Sequence, residues 1–168
     1  MDRHGHYGLA LLLSAPFVGA LGLTSTSVAT GIPFGVLAVG TSMLPDIDLH
    51  LPGIRHRGPT HTILFGVVAS MVVGIIALGV VTAFYDPAAV EYLSAFAYAF
   101  SASLVGIGSH LLGDALSIGS GRYGVRPWWP FSNRVLRFGV TRSNSFVWNN
   151  GLLGLGIAVY VSVFTLLN

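Results

Sequence analysis

The chain has 168 residues, 53% of them hydrophobic and 8% charged, with a formal net charge of +2. Soluble globular chains carry roughly 25% charged residues, so this composition cannot clothe a water-facing surface and reads as an integral membrane protein. Cys is absent and all eight basic residues are Arg, which excludes disulfides, thiolate ligands, Schiff-base lysine chemistry and a Walker-type phosphate loop.

The length suits one domain, residues 1–168, and no internal repeat or linker divides it. Mean hydropathy is +0.75, and the 22 Gly fit close helix packing in a bilayer. The expected fold is all-α, a polytopic membrane bundle of about five transmembrane helices. The first apolar segment runs from Tyr7 to Leu23 and ends at Thr24-Ser25-Thr26-Ser27. A signal peptide over residues 1–29 is the competing reading, with Ser27-Val28-Ala29 as its cleavage site, but Arg3 is the only fixed positive charge ahead of it. The second segment, Val28 to Leu44, is softened by Gly31, Pro33 and Gly40. Both segments are near the ~17-residue lower limit for a span.

Between the second and third segments lies a dense polar stretch, Leu44 to Thr62, with two Asp, three His and two Arg. The third segment, His61 to Tyr85, is uninterrupted. Asp86-Pro87 reads as a helix cap followed by Pro at the first helical position, so a fourth helix runs to about Ser117. A segment rich in Gly, Arg, Pro and Trp spans Ile118 to Phe146, and the fifth helix covers Val147 to Leu167.

Five spans put the N-terminus, the second-to-third connection and the fourth-to-fifth connection on one side. That side holds every Arg: Arg3, Arg55, Arg57, Arg122, Arg126, Arg134, Arg137 and Arg142. The other side holds Asp86 and Glu91. The positive-inside rule places the Arg side in the cytoplasm and the C-terminus outside. Membrane lipids are the expected surroundings, and no nucleic-acid partner is expected.

The same topology gathers chemistry. His4 and His6 precede the first span; Asp46, Asp48, His50, His56 and His61 lie in the polar stretch; His110 and Asp114 end the fourth helix. A rise of ~1.5 Å per residue makes Glu91 to Asp114 ~35 Å, one bilayer crossing, and puts Asp114 at the depth of His61. His110 and Asp114 share a helix face at i, i+4 spacing, a common way to offer two metal ligands. Asp46 and Asp48 at i, i+2 suit carboxylates converging from an extended or turn segment. Gly58-Pro59-Thr60-His61 resembles a helix start. Imidazole and carboxylate groups suit Zn, Mn or Fe, and up to seven exceed what one tetrahedral ion needs.

Each piece has a plainer reading. A lone His–Asp pair on a helix is commonly a buried hydrogen bond, and Asp-Ile-Asp can be a solvated cap. His4 is expected to be disordered, His50 solvated, and Arg55 a topology anchor. Trp128 and Trp129 suit an interfacial belt. Convergence argues against taking the pieces singly, because ionisable groups at membrane depth are costly and usually functional. Arg57, Arg122 and Arg126 offer guanidinium forks for a substrate phosphate.

Together Gly5-His6, Leu-Pro-Asp-Ile-Asp at 44–48, His-Arg-Gly-Pro-Thr-His at 56–61, Ser-His-Leu-Leu-Gly-Asp at 109–114 and Pro-Trp-Trp-Pro at 127–130 resemble the YdjM-like family. These are inner-membrane proteins, some under LexA control, regarded as metal-dependent hydrolases. The resemblance implies metal-site roles for His6, Asp46, Asp48, His56, His61, His110 and Asp114. The family often places His directly after the second Asp, where this chain has Leu49, so no role passes to His50. A more distant likeness, to zinc-dependent phospholipase C, implies phosphoester hydrolysis.

The resulting expectation is a membrane-embedded hydrolase of a lipid or lipid-linked phosphoester. It holds one or more divalent transition metal ions, with zinc favoured. Asp48 is the general base, and Arg57 stabilises the developing anion. The alternative is a metal-binding transporter or sensor without hydrolysis. Against it, the third and fifth segments carry no Asp, Glu, His or Arg within their apolar stretch, and the fourth has none between Glu91 and His110.

Overall fold

The computed structural model describes residues 1–24, 30–54, 56–84, 89–118 and 124–167. Five α-helices dominate them: α1 (Arg3–Leu23), α2 (Gly31–Thr41), α3 (Ile63–Phe84), α4 (Ala89–Leu116) and α5 (Phe146–Leu167). Two 3-10 helices, Leu44–His50 and Pro59–His61, lie between α2 and α3. Five helical stretches are long and apolar enough to cross a membrane, the second only when α2 is counted together with the 3-10 helix that follows it. The expected Asp86-Pro87 cap, Arg55, Arg122 and the Ser27-Val28-Ala29 site lie outside the described residues.

Helix starts follow local chemistry. Asp2 Oδ1 accepts the Gly5 N–H at 3.1 Å, an N-cap that begins α1 at Arg3 rather than at Tyr7, as apolar content alone suggested. His6 is thereby carried inside the first two turns. Thr62 Oγ1 caps α3 by accepting the Phe65 N–H at 3.0 Å, so the expected helix start at Gly58–His61 is instead a separate 3-10 turn.

α1 packs along α5, α3 along α4, and α2 bridges α1 and α4. Small residues let the backbones approach, as bilayer packing requires. A Cβ at Gly156 would lie 2.7 Å from the Gly8 carbonyl oxygen, and one at Gly106 would lie 2.6 Å from Thr41 Oγ1. Val18, Phe34 and Ala102 form the buried centre, with Tyr98 and Tyr160 packed against them. Those two hydroxyls donate to the carbonyls of Thr30 and Gly31, tying the start of α2 to α4 and α5. Val68, Val72 and Ile76 on α3, and Ile157 and Val161 on α5, are exposed, as lipid-facing helices require.

The segment after α4 is more ordered than its composition suggested. β1 (Ser117–Ile118) pairs in parallel with β2 (Thr141–Arg142), and Val125 bridges Leu136. The N–H groups of Phe138 and Val140 donate to the Ala115 and Leu116 carbonyls at 2.7 and 2.8 Å. These are the acceptors a helix C-terminus leaves unsatisfied. Pro127 returns the favour at the next helix, accepting the Ile63 N–H at 2.8 Å.

Candidate metal centre

All seven expected donors meet at one end of the bundle, brought by four segments: α1, the first 3-10 helix, the turn 56–61, and α4. His6, His61 and His110 are fully or almost fully buried, as are Asp48 and Asp114. They form three overlapping groups able to hold an ion: His6/His110/Asp114, Asp46/His61/His110 and Asp48/His56/His61. The groups share His61 and His110, so they are facets of one cluster.

The middle group has the tightest geometry. His61 Nε2 and His110 Nε2 are 3.3 Å apart, and Asp46 Oδ1 is 3.4 Å from each. Donors bound at 2.0–2.1 Å around a tetrahedral ion stand ~3.3–3.4 Å from one another. These three atoms therefore outline one face of such a tetrahedron. Asp114 Oδ2 lies 3.6 Å from His61 Nε2. His6 stacks on His110 at 4.0 Å between ring centroids, with its Nε2 3.7 Å from Asp114 Oδ1.

Hydrogen bonding sets the tautomer of His61. Thr60 Oγ1 donates to Asp48 Oδ2 at 2.9 Å and lies 3.1 Å from His61 Nδ1, which is itself 3.3 Å from Asp48 Oδ2. An ionised carboxylate only accepts, so the His61 proton sits on Nδ1. Nε2 then presents a lone pair toward Asp46 and His110. Such a meeting of acceptors requires a cation or a proton between them, and a histidine backed by a carboxylate is the usual arrangement of a metal ligand. The Nδ1 atoms of His6 and His110 are buried without a hydrogen-bond partner among the described residues. The donor set fits a divalent metal.

Three expectations are corrected. Asp46 and Asp48 do not converge from an extended segment. A 3-10 helix turns ~120° per residue, which separates the two carboxylates around the helix, so they bracket the two ring nitrogens of His61. Asp48 is not placed as a general base. It is 3% exposed, and its oxygens already accept from His56 Nδ1 at 3.0 Å, the Arg57 N–H at 3.0 Å and Thr60. Nor is His4 disordered; its Nδ1 lies 3.0 Å from Asn150 Oδ1. His50 is exposed, as expected.

Arg57 is engaged within the cluster: its Nε and Nη2 donate to Asp114 at 2.9 and 3.0 Å. Its backbone adopts φ 60°, a left-handed conformation costing a non-glycine residue ~1–2 kcal/mol and retained where surrounding contacts dictate it. Arg57, Arg126, His56 and Trp129 line a cavity of about 220 Å³. The Met1 amino group lies 3.5 Å from Asp114 Oδ1, and burial lowers it below its ordinary pKa. Thr60 escaped the sequence reading, although a hydroxyl between His56 and His61 was its signal.

The model of the YdjM inner membrane protein family matches residues 1–167. The chain belongs to that family and is a membrane protein. No curated protein matches it, and no solved structure does.

Proposed function

We propose that this YdjM-family member is a metal-dependent hydrolase, acting on a phosphoester of a lipid or lipid-linked substrate at the cytoplasmic face of the membrane. The observation that carries the reading is the triangle of Asp46, His61 and His110 donor atoms, 3.3–3.4 Å on each edge, beside an Arg-lined cavity. In this reading those three residues, with Asp114 and His6 alongside, hold one or more divalent ions, zinc first and manganese or iron next. When bound, the metal supplies Lewis acidity and an activated water.

The chain's own residues do the rest. Asp48 and Thr60 keep the His61 proton on Nδ1 and so hold Nε2 toward the metal. His56 becomes the proton-transfer group in place of Asp48. Its Nδ1–H is spent on Asp48, which leaves Nε2 at the cavity to give a proton to, or take one from, the reacting phosphoester. Arg126, with Arg57 beside Asp114, attracts the phosphoryl group and stabilises its developing charge. Arg122 adjoins this segment in sequence and is proposed as a further anion contact. The Arg-bearing end faces the cytoplasm by the positive-inside rule, with the C-terminus outside.

Elemental analysis of protein purified without chelator tests the metal; substoichiometric transition metal in the wild type sinks it. A screen of phospholipids and lipid phosphates tests the hydrolysis. Metal binding and metal flux in liposomes, without turnover of any lipid, would establish the transporter reading instead.

A further inference from the structure

Besides the Arg-lined cavity, the cluster borders a second space. A cleft of about 520 Å³ is lined by His6, Asp46, Tyr7, Met43 and Gly40. Gly40 also lines a third cavity, of about 610 Å³, deeper along the bundle. That cavity is a groove between α2 and α3, which both pack on α4 and barely touch each other. Leu37, Ala77, Val81, Ala95 and Ala99 line it together with Tyr98, whose hydroxyl donates to the Thr30 carbonyl. Gly40 is exposed, and a Cβ built there would meet nothing within 4 Å. The two spaces therefore meet at a position without a side chain.

Depth decides the occupant. Ala99 and Ala95 lie ~16 and ~22 Å from His110 along α4. Half the hydrocarbon core, the reach of one lipid tail, is ~15 Å. A lipid with its phosphate at the His6/Asp46 cleft would lay its tail past Gly40 and Leu37 and bring the tail's end to the level of Ala99, short of Ala95, Ala77 and Val81, which lie ~22, ~24 and ~30 Å along their helices from His110 and His61. No charged residue is among its described lining, so a charged occupant has no partner there.

Resting on the reading of the site as a lipid phosphoesterase, we propose that the α2–α3 groove holds one hydrocarbon chain of the substrate lipid. The substrate then enters sideways from the site-bearing leaflet through the junction at Gly40. Specificity follows: the groove measures chain length, and the metal cluster reads the phosphate.

The test uses the full-length, metal-loaded protein in phosphatidylcholine vesicles and a single-chain lipid phosphate carrying a photoreactive diazirine at the tail end. Crosslinks are expected on α2 and α4 around Leu37 and Ala99. A long-chain lipid phosphate should compete them away, and a short-chain one should not. Gly40→Leu, whose Cβ meets no atom within 4 Å, should abolish them while leaving metal content and the uncompeted labelling of α5 unchanged. Crosslinks spread equally over the outer faces of α3 and α5, insensitive to competitor and to Gly40→Leu, would overturn the proposal, since the groove would then hold bulk lipid. Because the readout needs no turnover, it separates the two ideas. Competed crosslinks without hydrolysis of any lipid would retain the groove and remove the enzyme, whereas hydrolysis with scattered crosslinks would do the reverse.

Discussion

The two halves of the polar cluster use the same residue types to opposite ends. In the inner half, His61, His110 and Asp46 point donor atoms at one another across 3.3–3.4 Å, and both imidazoles are buried. In the outer half, His56 and Asp48 are joined by an ordinary hydrogen bond, and the His56 side chain is 44% exposed. Acceptors crowded together need a cation or a proton between them, whereas a satisfied His–Asp pair at a cavity wall is suited to moving a proton. Burial and hydrogen-bond partner, rather than residue identity, separate a ligand from an acid–base group.

The sharpest way to break that comparison is at the inner half. His110→Ala and His61→Ala should each lose bound metal and all turnover, as read by elemental analysis and lipid-phosphate release. Retention of full metal by either would move the centre elsewhere. At the outer half, His56→Ala should keep the metal and lower kcat by ~10²–10⁴, the usual worth of a positioned acid–base group; metal loss in this variant would make His56 a ligand instead. Asp48→Asn should fall between, with ~10–100-fold weaker metal affinity or activity, as expected for a group that orients a ligand, measured by competition with a graded chelator.

Two smaller effects concern the arginines. Arg126→Ala should lower kcat/KM about fivefold or less, with part of the loss in kcat, since an exposed charge contributes ~1 kcal/mol at most. At φ 60°, Arg57→Gly should be more stable than Arg57→Ala by ~1 kcal/mol, by thermal unfolding in detergent. Equal stability would mean that the left-handed turn is not held in solution.

Much of this was legible in the sequence because the bilayer simplifies the problem. A scarcity of charge marks the spans, and helical rise alone places His61 and Asp114 at one depth; the structure sets them 3.6 Å apart. The i, i+4 spacing of His110 and Asp114 likewise needed only helix geometry. What stayed hidden depends on short-range turn geometry or on distant partners. Whether Asp46 and Asp48 converge or bracket a ring depends on 3-10 rather than extended backbone, and Pro45 is compatible with both. The role of His56 turns on which of its neighbours holds its proton. The placement of Phe138 and Val140 comes from the open carbonyls of α4, which local composition does not record.

That last anchoring has a mechanical consequence. The amides of Phe138 and Val140 are fastened to the final turn of α4, the helix that carries His110 and Asp114. Hydrogen exchange at those two amides requires the segment to part from the end of α4, whether the segment peels away or the last turn opens, and the second route carries the donors with it. An ion that holds the end of α4 closes that second route. Ion binding deep in the bundle should slow exchange in a surface segment that never touches the ion.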